Sequence, residues 1–278
     1  MFTVEIICFG NELLIGKTVN TNANWLGKRI TALGGKVTRI TTIRDTMTEM
    51  VQIVKEVLSR KPEVIITTGG MGTTFDDMSL GAIASATNQK LIFNEDALEL
   101  IKERLEILKE IRKISLELTE ERKQMAYLPE KAYPLKNRNG SAPGIYLEYD
   151  GVKIFAVPGV PREMEAIFDH EIIRYLPIDS NQHFFERSLI VNYIPESELA
   201  KAITPIREKY PTIYFKTHPH SSSTSPEGRI TVEIHLTLYS TNDEDRNLDE
   251  IINELINLIE NMKGIREEKP IITIGEKK

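Results

Sequence analysis

The chain has little cysteine, little tryptophan and no long apolar run, and each shortage excludes a class of protein. Of its 278 residues, one is cysteine and one is tryptophan. Cys8 has no partner for an internal disulfide, and because it lies in the apolar run Val4–Phe9 we expect a small buried core residue. No run approaches the roughly 18 apolar residues of a membrane span. Since the N-terminus enters a strand-like segment without a basic, apolar leader, we expect a cytoplasmic protein with no membrane partner.

The chain also has little excess charge of one sign. Its net charge is −6, with acidic and basic residues interspersed along the sequence. That distribution argues against the basic surface of a nucleic-acid-binding protein, so we expect no nucleic-acid partner. A composition of 41% hydrophobic and 27% charged residues is typical of a globular protein, and this length leaves room for two domains.

The first half of the chain alternates strand and helix patterns. Strands are predicted near Val4–Phe9, Lys36–Ile43 and Val64–Thr68, with a further contribution to the sheet near Leu91–Phe93. Helical patterns lie between them. This order predicts βαβ units, and therefore a three-layer α/β/α domain with a mostly parallel sheet over residues 1–177.

Local signals predict several element boundaries in that domain. Thr46, followed three residues later by Glu49, has the spacing of a capping box at the start of a helix. Glu95–Ser115 has the periodicity of a long amphipathic helix. The dipeptide Asp150-Gly151 suits a type I′ turn, so it predicts a hairpin between Ile145–Tyr149 and Val152–Val157.

The pattern changes after a linker-like segment at Pro177–Gln182. It then predicts strands and helices in the order β-α-β-β-α, which describes a smaller α+β domain over residues 183–278. RNA-binding KH modules share this order, but their Gly-x-x-Gly clamp is missing, so we assign the domain a structural or dimerisation role and expect a homodimer. The tail at Ile271–Ile274 either adds an edge strand or is disordered.

The strongest functional signal follows the third predicted strand, Val64–Thr68. Gly69, Gly70 and Gly72 come directly after it, and a helix is predicted from Met78. Glycines at such a turn permit positive φ and let the backbone approach a ligand, while the free N–H groups of the helix face the same place. The turn therefore predicts an anion site.

Two carboxylates, Asp76 and Asp77, follow this turn. They would repel an anion unless a cation lay between them, so the sequence predicts a metal-bound phosphate or pyrophosphate with these two residues as metal ligands. The alternative is that Asp77 is only the N-cap of the helix and that Asp76 is solvated. The spacing matches neither the Walker P-loop nor the dinucleotide-binding glycine motif.

Four ordered motifs closely resemble the CinA family: Gly10–Asn20 with Asn24, Thr67–Asp77, Gly140–Gly144 and Val157–Met164. The first domain is also similar to the molybdopterin-binding fold of the MoaB and MogA proteins. The resemblance implies a metal-dependent pyrophosphatase that converts ADP-ribose to AMP and ribose 5-phosphate. Longer CinA proteins carry a C-terminal amidohydrolase domain, and we expect this chain to be a short form without that activity.

On this hypothesis Asp76 and Asp77 hold magnesium or another divalent ion, and Glu12 or Asp45 orients the attacking water. Glu12, Asp45 and Asp77 are then the catalytic carboxylates. Substrate and phosphate contacts are assigned to Asn20, Asn24, Gly69, Gly70, Gly72, Thr74, Ser141, Gly159 and Arg162. Some of these have structural alternatives: Glu12 as a first-turn helix carboxylate, and Asn20 or Asn24 as a helix cap.

A second hypothesis is a binding module for molybdopterin or a related pterin phosphate. The same glycine turn would then hold the terminal phosphate of the ligand, and chemistry would be absent or would concern adenylation. A metal site at His218 and His220 is a weaker candidate, because Pro219 separates the two side chains and a serine-rich loop follows them. Ser141 lacks the Gly-x-Ser-x-Gly elbow of a nucleophilic serine.

Overall fold

A computed structural model describes residues 1–74, 77–113, 117–179, 183–220, 230–240, 245–264 and 268–275. The chain forms two compact units. The first comprises Met1–Thr31 and Gly35–Ile178, and the second comprises Ala32–Gly34 and Asp179–Lys278. Across the described ranges, every helix is too short or too polar to cross a bilayer.

The elements of the first unit alternate as the sequence predicts. Its strands are β1 (Phe2–Phe9), β2 (Gly35–Ile43), β3 (Val64–Thr68), β4 (Leu91–Phe93), β5 (Tyr127–Pro129), β6 (Tyr133–Leu135), β7 (Gly144–Tyr149) and β8 (Val152–Val157). Its helices are α1 (Asn11–Leu14), α2 (Thr21–Ala32), α3 (Met47–Ser59), α4 (Ser79–Ala86), α5 (Glu95–Arg112), α6 (Glu120–Gln124) and α7 (Pro161–Ile167). A π-helical turn over Phe168–Ile172 and a 3-10 turn over Ile173–Tyr175 follow α7.

Six strands form the central sheet in the order β2-β1-β3-β8-β7-β6. The first four of that order run parallel, and β7 and β6 are antiparallel to their neighbours. The predicted mostly parallel sheet is therefore confirmed. β3 is buried at every residue and β1 at nearly every residue, as their continuous apolar and β-branched sequences predict for strands covered on both faces.

Helices cover both faces of this sheet. On one face Ile7 of β1 packs in a cluster that includes Met50 of α3 and Ile83 of α4. On the other, α2 buries Leu26 and Ile30 completely. These opposed layers confirm the three-layer architecture, and the carboxyl ends of the parallel strands emerge between them.

β4 does not contribute to the central sheet, and that expectation is wrong. It pairs antiparallel with β5, with Leu91 opposite Pro129, in a separate two-stranded sheet. The amide of Asn94 donates to the carbonyl of Ala126 at 2.9 Å, which joins the end of β4 to the start of β5. This three-residue strand is therefore held beside β5, a partner distant in sequence, instead of reaching the main sheet.

The prediction of a hairpin is confirmed, and the prediction of a capping box is wrong. Asp150 and Gly151 have φ values of 50° and 78°, as a type I′ turn requires. Thr46 does occupy the N-cap position of α3, but its side chain makes no capping hydrogen bond. In a capping box the Glu49 side chain would accept a hydrogen bond from the Thr46 amide. That amide donates instead to the carbonyl of Arg44 at 2.9 Å.

The second unit is an α+β domain with an antiparallel sheet. Its elements are β9 (His183–Asn192), α8 (Glu196–Lys209), β10 (Tyr214–His220), β11 (Thr231–Ser240), α9 (Asp245–Glu260) and β12 (Ile271–Ile274). The strands lie in the order β10-β11-β9-β12, so the tail forms an edge strand. Alternate apolar residues of β9 and β11, such as Val191 and Ile234, pack against Leu199 of α8 and Leu255 of α9.

Candidate functional site

The carboxyl ends of the four parallel strands meet around one cavity of about 400 Å³. Ligands bind at this edge of open parallel sheets, because the strand-to-helix turns there expose backbone groups and functional side chains together. Each parallel strand contributes: β1 through Phe9, Gly10 and Glu12, β2 through Asp45, β3 through Gly69 to Thr73, and β8 through Pro158 to Val160 and Glu163. The loop before β7 adds Ser141 and Ala142.

The glycines of the β3 turn let three strand ends come close together. Gly69 and Gly70 have φ values of 99° and 65°, which confirms the predicted positive φ at these positions. A Cβ at Gly69 would overlap the carbonyl oxygen of Phe9, at the end of β1. A Cβ at Gly159 would lie 3.4 Å from Gly69 Cα. The floor of the cavity is therefore bare backbone from β1, β3 and β8.

The Gly69 amide donates to the carbonyl of Val157 at 3.0 Å, so this predicted phosphate donor is already bonded within the protein. Gly70 O accepts from the amide of Ser79 at 3.0 Å and from the Ser79 hydroxyl at 2.6 Å, which ties the turn to the start of α4. Within the described residues, no acceptor pairs with the N–H groups of Gly70, Met71 and Gly72. These amides are available to a ligand that accepts hydrogen bonds.

Asp77 supports the turn and does not cap α4. Its Oδ2 accepts from the Thr74 amide at 2.7 Å and from the Thr74 hydroxyl at 2.6 Å. The N-cap of α4 is Met78, which makes no side-chain cap, so the helix-capping alternative for Asp77 is wrong. A Cβ at Gly72 would lie 2.6 Å from Asp77 Oδ2, so the carboxylate covers that glycine. Asp76, the other predicted metal ligand, lies outside the described residues.

Among the described residues, four carboxylates line the cavity, from Glu12, Asp45, Asp77 and Glu163. Asp45 Oδ2 accepts from the Asn11 amide at 2.9 Å, and Glu163 accepts from Asn137 Nδ2 at 2.7 Å. The part of the lining that the structure describes includes no lysine or arginine. The field in the cavity is therefore negative, and an anionic ligand needs a cation beside it. Among described residues, no three His, Cys, Asp or Glu side chains are close enough to hold a metal alone.

Of the remaining predicted site residues, some hold the local structure in place and others are exposed on the surface. Asn20 Oδ1 accepts from the Ala23 amide at 3.0 Å, so Asn20 caps α2, and its side chain also faces a smaller cavity beside the first. Thr74 is exposed and donates its amide and hydroxyl to Asp77. Asn24 and Arg162 are exposed and do not contribute to the lining of either cavity. Arg162 acts through its backbone, because its carbonyl accepts from Asn139 Nδ2 at 2.8 Å.

The smaller cavity, of about 90 Å³, is lined by a candidate site residue that sequence reasoning missed. Asn22 is 7% exposed, and its Nδ2 donates to Thr68 Oγ1 at 3.1 Å and to the carbonyl of Gly159 at 2.8 Å. Because a carbonyl only accepts, these bonds define the orientation of the amide. Within the described residues, its Oδ1 is buried without a partner. This oxygen is therefore positioned to accept from a ligand.

Asn137 is a second residue that sequence reasoning missed. Its Oδ1 accepts from the amides of Asn139 and Gly140, at 3.0 and 2.8 Å, and its Nδ2 donates to the carbonyl of Ala142 at 2.8 Å. These bonds, with the one to Glu163, hold the loop that brings Ser141 to the cavity. No local signal in the sequence shows which asparagine of this loop lies inside it.

Residues 5–177 match the family model described as "Probable molybdopterin binding domain". A protein of Metallosphaera sedula is 42% identical over 250 residues, which are 88% of this chain and 89% of that protein. A protein of Saccharolobus islandicus is 39% identical over 262 residues, 94% of this chain and 96% of its own length.

Among solved structures, the protein CinA with unknown function from Thermoplasma acidophilum is 34% identical, with a TM-score of 0.56. The match covers 63% of this chain and 99% of that one. The resemblance to CinA proteins is thereby confirmed. All residues that line the two cavities fall inside the segment that matches the family model.

Proposed function

Because the chain belongs to the CinA proteins and to the family of probable molybdopterin-binding domains, we propose that its cavity binds the phosphate end of molybdopterin or a related pterin phosphate. The observation that supports this most directly is the β3 turn. Gly70, Met71 and Gly72 line the cavity at the carboxyl edge of the parallel sheet, and their N–H groups have no acceptor among the described residues. Such clusters of backbone donors are characteristic of phosphate sites.

The carboxylates around the cavity set a second requirement. A phosphate beside Asp45 and Asp77 is repelled unless a divalent cation lies between them. Mg²⁺ commonly takes one or two protein carboxylates and completes its octahedral shell with phosphate oxygens and water, which suits this donor set. When bound, the cation would neutralise charge between ligand and protein, while the turn amides and Ser141 orient the phosphate.

The smaller cavity offers hydrogen-bond acceptors to the polar groups of the ligand. Asn22 Oδ1, buried and without a partner among described residues, fits an N–H or O–H donor, and the carboxylate of Glu12 borders the same space. Pterins carry ring N–H and amino donors. A buried acceptor that is satisfied only by the ligand gives selectivity, because a ligand without that donor leaves the acceptor desolvated and unpaired.

Titration of the protein with a fluorescent oxidised pterin, with and without its terminal phosphate, tests the proposal. We expect the phosphorylated form to bind more tightly, and only when Mg²⁺ is present. Equal affinity for both forms on folded protein would contradict a phosphate-directed site. Fluorescence anisotropy measures each dissociation constant directly.

Asp77→Asn is the matching site variant. It removes the charge that the cation needs while keeping an oxygen that accepts from Thr74, so we expect pterin-phosphate affinity to fall by about tenfold or more. Asp150→Asn is the control, since Asp150 lies in the β7–β8 turn, where asparagine also tolerates positive φ. The control should keep the wild-type dissociation constant, and unchanged binding by Asp77→Asn would remove Asp77 from the site.

Hydrolysis of ADP-ribose is a second candidate, and one observation favours it: Glu12 and Asp45 line the same cavity as the phosphate-binding turn. A carboxylate there can accept a proton from water as the water oxygen attacks one phosphorus atom and the bridging P–O bond breaks, leaving one phosphate on each product. AMP release with a panel of divalent metals is the assay. Absence of AMP from protein that binds pterin phosphate would leave binding as the function.

If hydrolysis occurs, Glu12→Gln and Asp45→Asn distinguish the two carboxylates. The residue that takes the proton should lose roughly 10²- to 10⁴-fold in rate when its carboxylate becomes an amide, with little change in KM. Asp45 also accepts a hydrogen bond from the Asn11 amide, so the thermal stability of both variants should be compared.

A further inference from the structure

A separate cavity, of about 230 Å³, lies between α5 and the segment after β6. Its polar lining consists of Glu103 and Arg104 from the helix and of Lys136, Asn137 and Arg138 from the segment. None of its described lining residues also lines the cavity at the strand ends. The described lining thus has three cationic side chains and one carboxylate, and its net charge is positive.

The carboxylate is already paired. Lys136 Nζ lies 2.7 Å from Glu103 Oε1, so these two charges cancel. Arg138 is 3.9 Å from Glu171, beyond hydrogen-bond distance, and the same carboxylate is bonded more closely to Arg174. Arg138 thus keeps most of its hydrogen-bonding capacity for another acceptor.

Arg104 is the unusual member of this group. Among the described residues, its buried Nε has no hydrogen-bond partner and its guanidinium has no ion pair. A guanidinium N–H that loses water and gains no acceptor is costly, and neighbouring cations raise that cost. Leu100 and Ile107, one turn to each side on the same face of α5, line the cavity beside Arg104.

We propose that this cavity binds a small phosphate-class oxyanion, either inorganic phosphate or a phosphomonoester. Arg104 and Arg138 are the direct ligands, because the planar guanidinium presents paired N–H donors that match two phosphate oxygens. The volume of about 230 Å³ corresponds to about eight water molecules at roughly 30 Å³ each, enough for a phosphate group with part of its hydration shell. The anion supplies the acceptor that Arg104 Nε lacks.

Calorimetric titration of the full chain with inorganic phosphate, in the presence of a chelator that removes divalent cations, tests this site apart from the metal-dependent cavity. We expect saturable binding that weakens by at least about tenfold in the double variant Arg104→Gln, Arg138→Gln. Lys102→Gln, an exposed cation of α5 paired with Glu99, is the matched control and should bind as wild type. Ser141→Ala should also leave this binding unchanged.

Thermal unfolding gives an independent readout. Arg104→Met keeps an apolar stem and removes the unpaired charge, so the variant should melt higher than wild type without phosphate and should lose the rise in Tm that phosphate produces. Methyl phosphate as a second titrant distinguishes an ester from the free ion, and tighter binding of either one supports the site. Identical phosphate affinity in wild type and the double variant, or a lower Tm for phosphate-free Arg104→Met, would overturn it.

Discussion

At the scale of single residues, Gly69 is the position where the backbone of the site leaves no room for a side chain. Gly69→Ala places a residue with a Cβ at φ 99° and forces that Cβ into the carbonyl of Phe9. We expect the free energy of unfolding to fall by more than about 2 kcal/mol, since the left-handed conformation alone costs roughly 1–2 kcal/mol. Chemical denaturation measures the change.

Gly151→Ala is the control for that substitution. Gly151 has a similar φ of 78°, but no atom of the described residues comes within 4 Å of its added Cβ. It should therefore show the conformational cost without the collision, and a loss equal to that of Gly69→Ala would mean that the close approach to Phe9 contributes nothing.

The side chain of Tyr146 contributes to the pH dependence of the free energy of unfolding. Burial and a hydrogen bond to Glu148 raise its pKa to about 12, from an ordinary value near 10. The folded state favours the neutral phenol, so this contribution to stability is complete below about pH 10 and is lost as the pH rises through 12. Tyr146→Phe should flatten the decline in unfolding free energy between these values.

The control for Tyr146 is Tyr214→Phe, because Tyr214 is 62% exposed. That variant should follow the wild-type curve of stability against pH. If Tyr146→Phe also follows it, the folded protein does not hold the phenol in its neutral form.

At the scale of elements, two helix starts with good N-cap residues differ in structure. Asn94 accepts the Ala97 amide at 2.8 Å and caps α5, whereas Thr46 makes no side-chain bond at the start of α3. Asn94→Ala should cost about 1 kcal/mol of stability, as N-cap substitutions typically do, and Thr46→Ala should cost much less. Paired denaturation curves test this ranking, and equal losses would indicate that Thr46 caps α3 in solution.

At the scale of the whole molecule, the first unit contains its own core and both cavities of the candidate site. We propose that residues 1–177 form an independent domain. That fragment alone should unfold cooperatively and bind pterin phosphate with the affinity of the full chain. A folded fragment with weakened binding would show that the second unit contributes to the site.

The assembly of the molecule also belongs to this scale. The homodimer remains a prediction, with the α+β domain of residues 183–278 as its proposed contact. Light scattering after gel filtration of the full chain and of that domain would test it, since a monomeric domain within a dimeric chain would move the interface elsewhere.

Much of the fold was predictable because its signals are local. The buried run of β3, the amphipathic period of α5 and the Asp150-Gly151 turn each depend on neighbours in sequence, and each element lies where its pattern predicts. β4 is different, because the choice between the central sheet and β5 depends on residues far along the chain. Propensity does not contain that information.

For the candidate site, the sequence by itself determined the glycine turn and the carboxylates that accompany it, since glycine chemistry and strand-to-helix order are local properties. Only the tertiary structure decided which polar side chains face inward. Asn22 and Asn24 are the same residue type two positions apart, yet at 3.6 residues per turn they point to nearly opposite sides of α2, and packing buries the first while exposing the second. Arg104 and Arg138 likewise line one cavity only because α5 packs beside the segment that follows β6. The positive charge of that cavity is therefore a property of the fold.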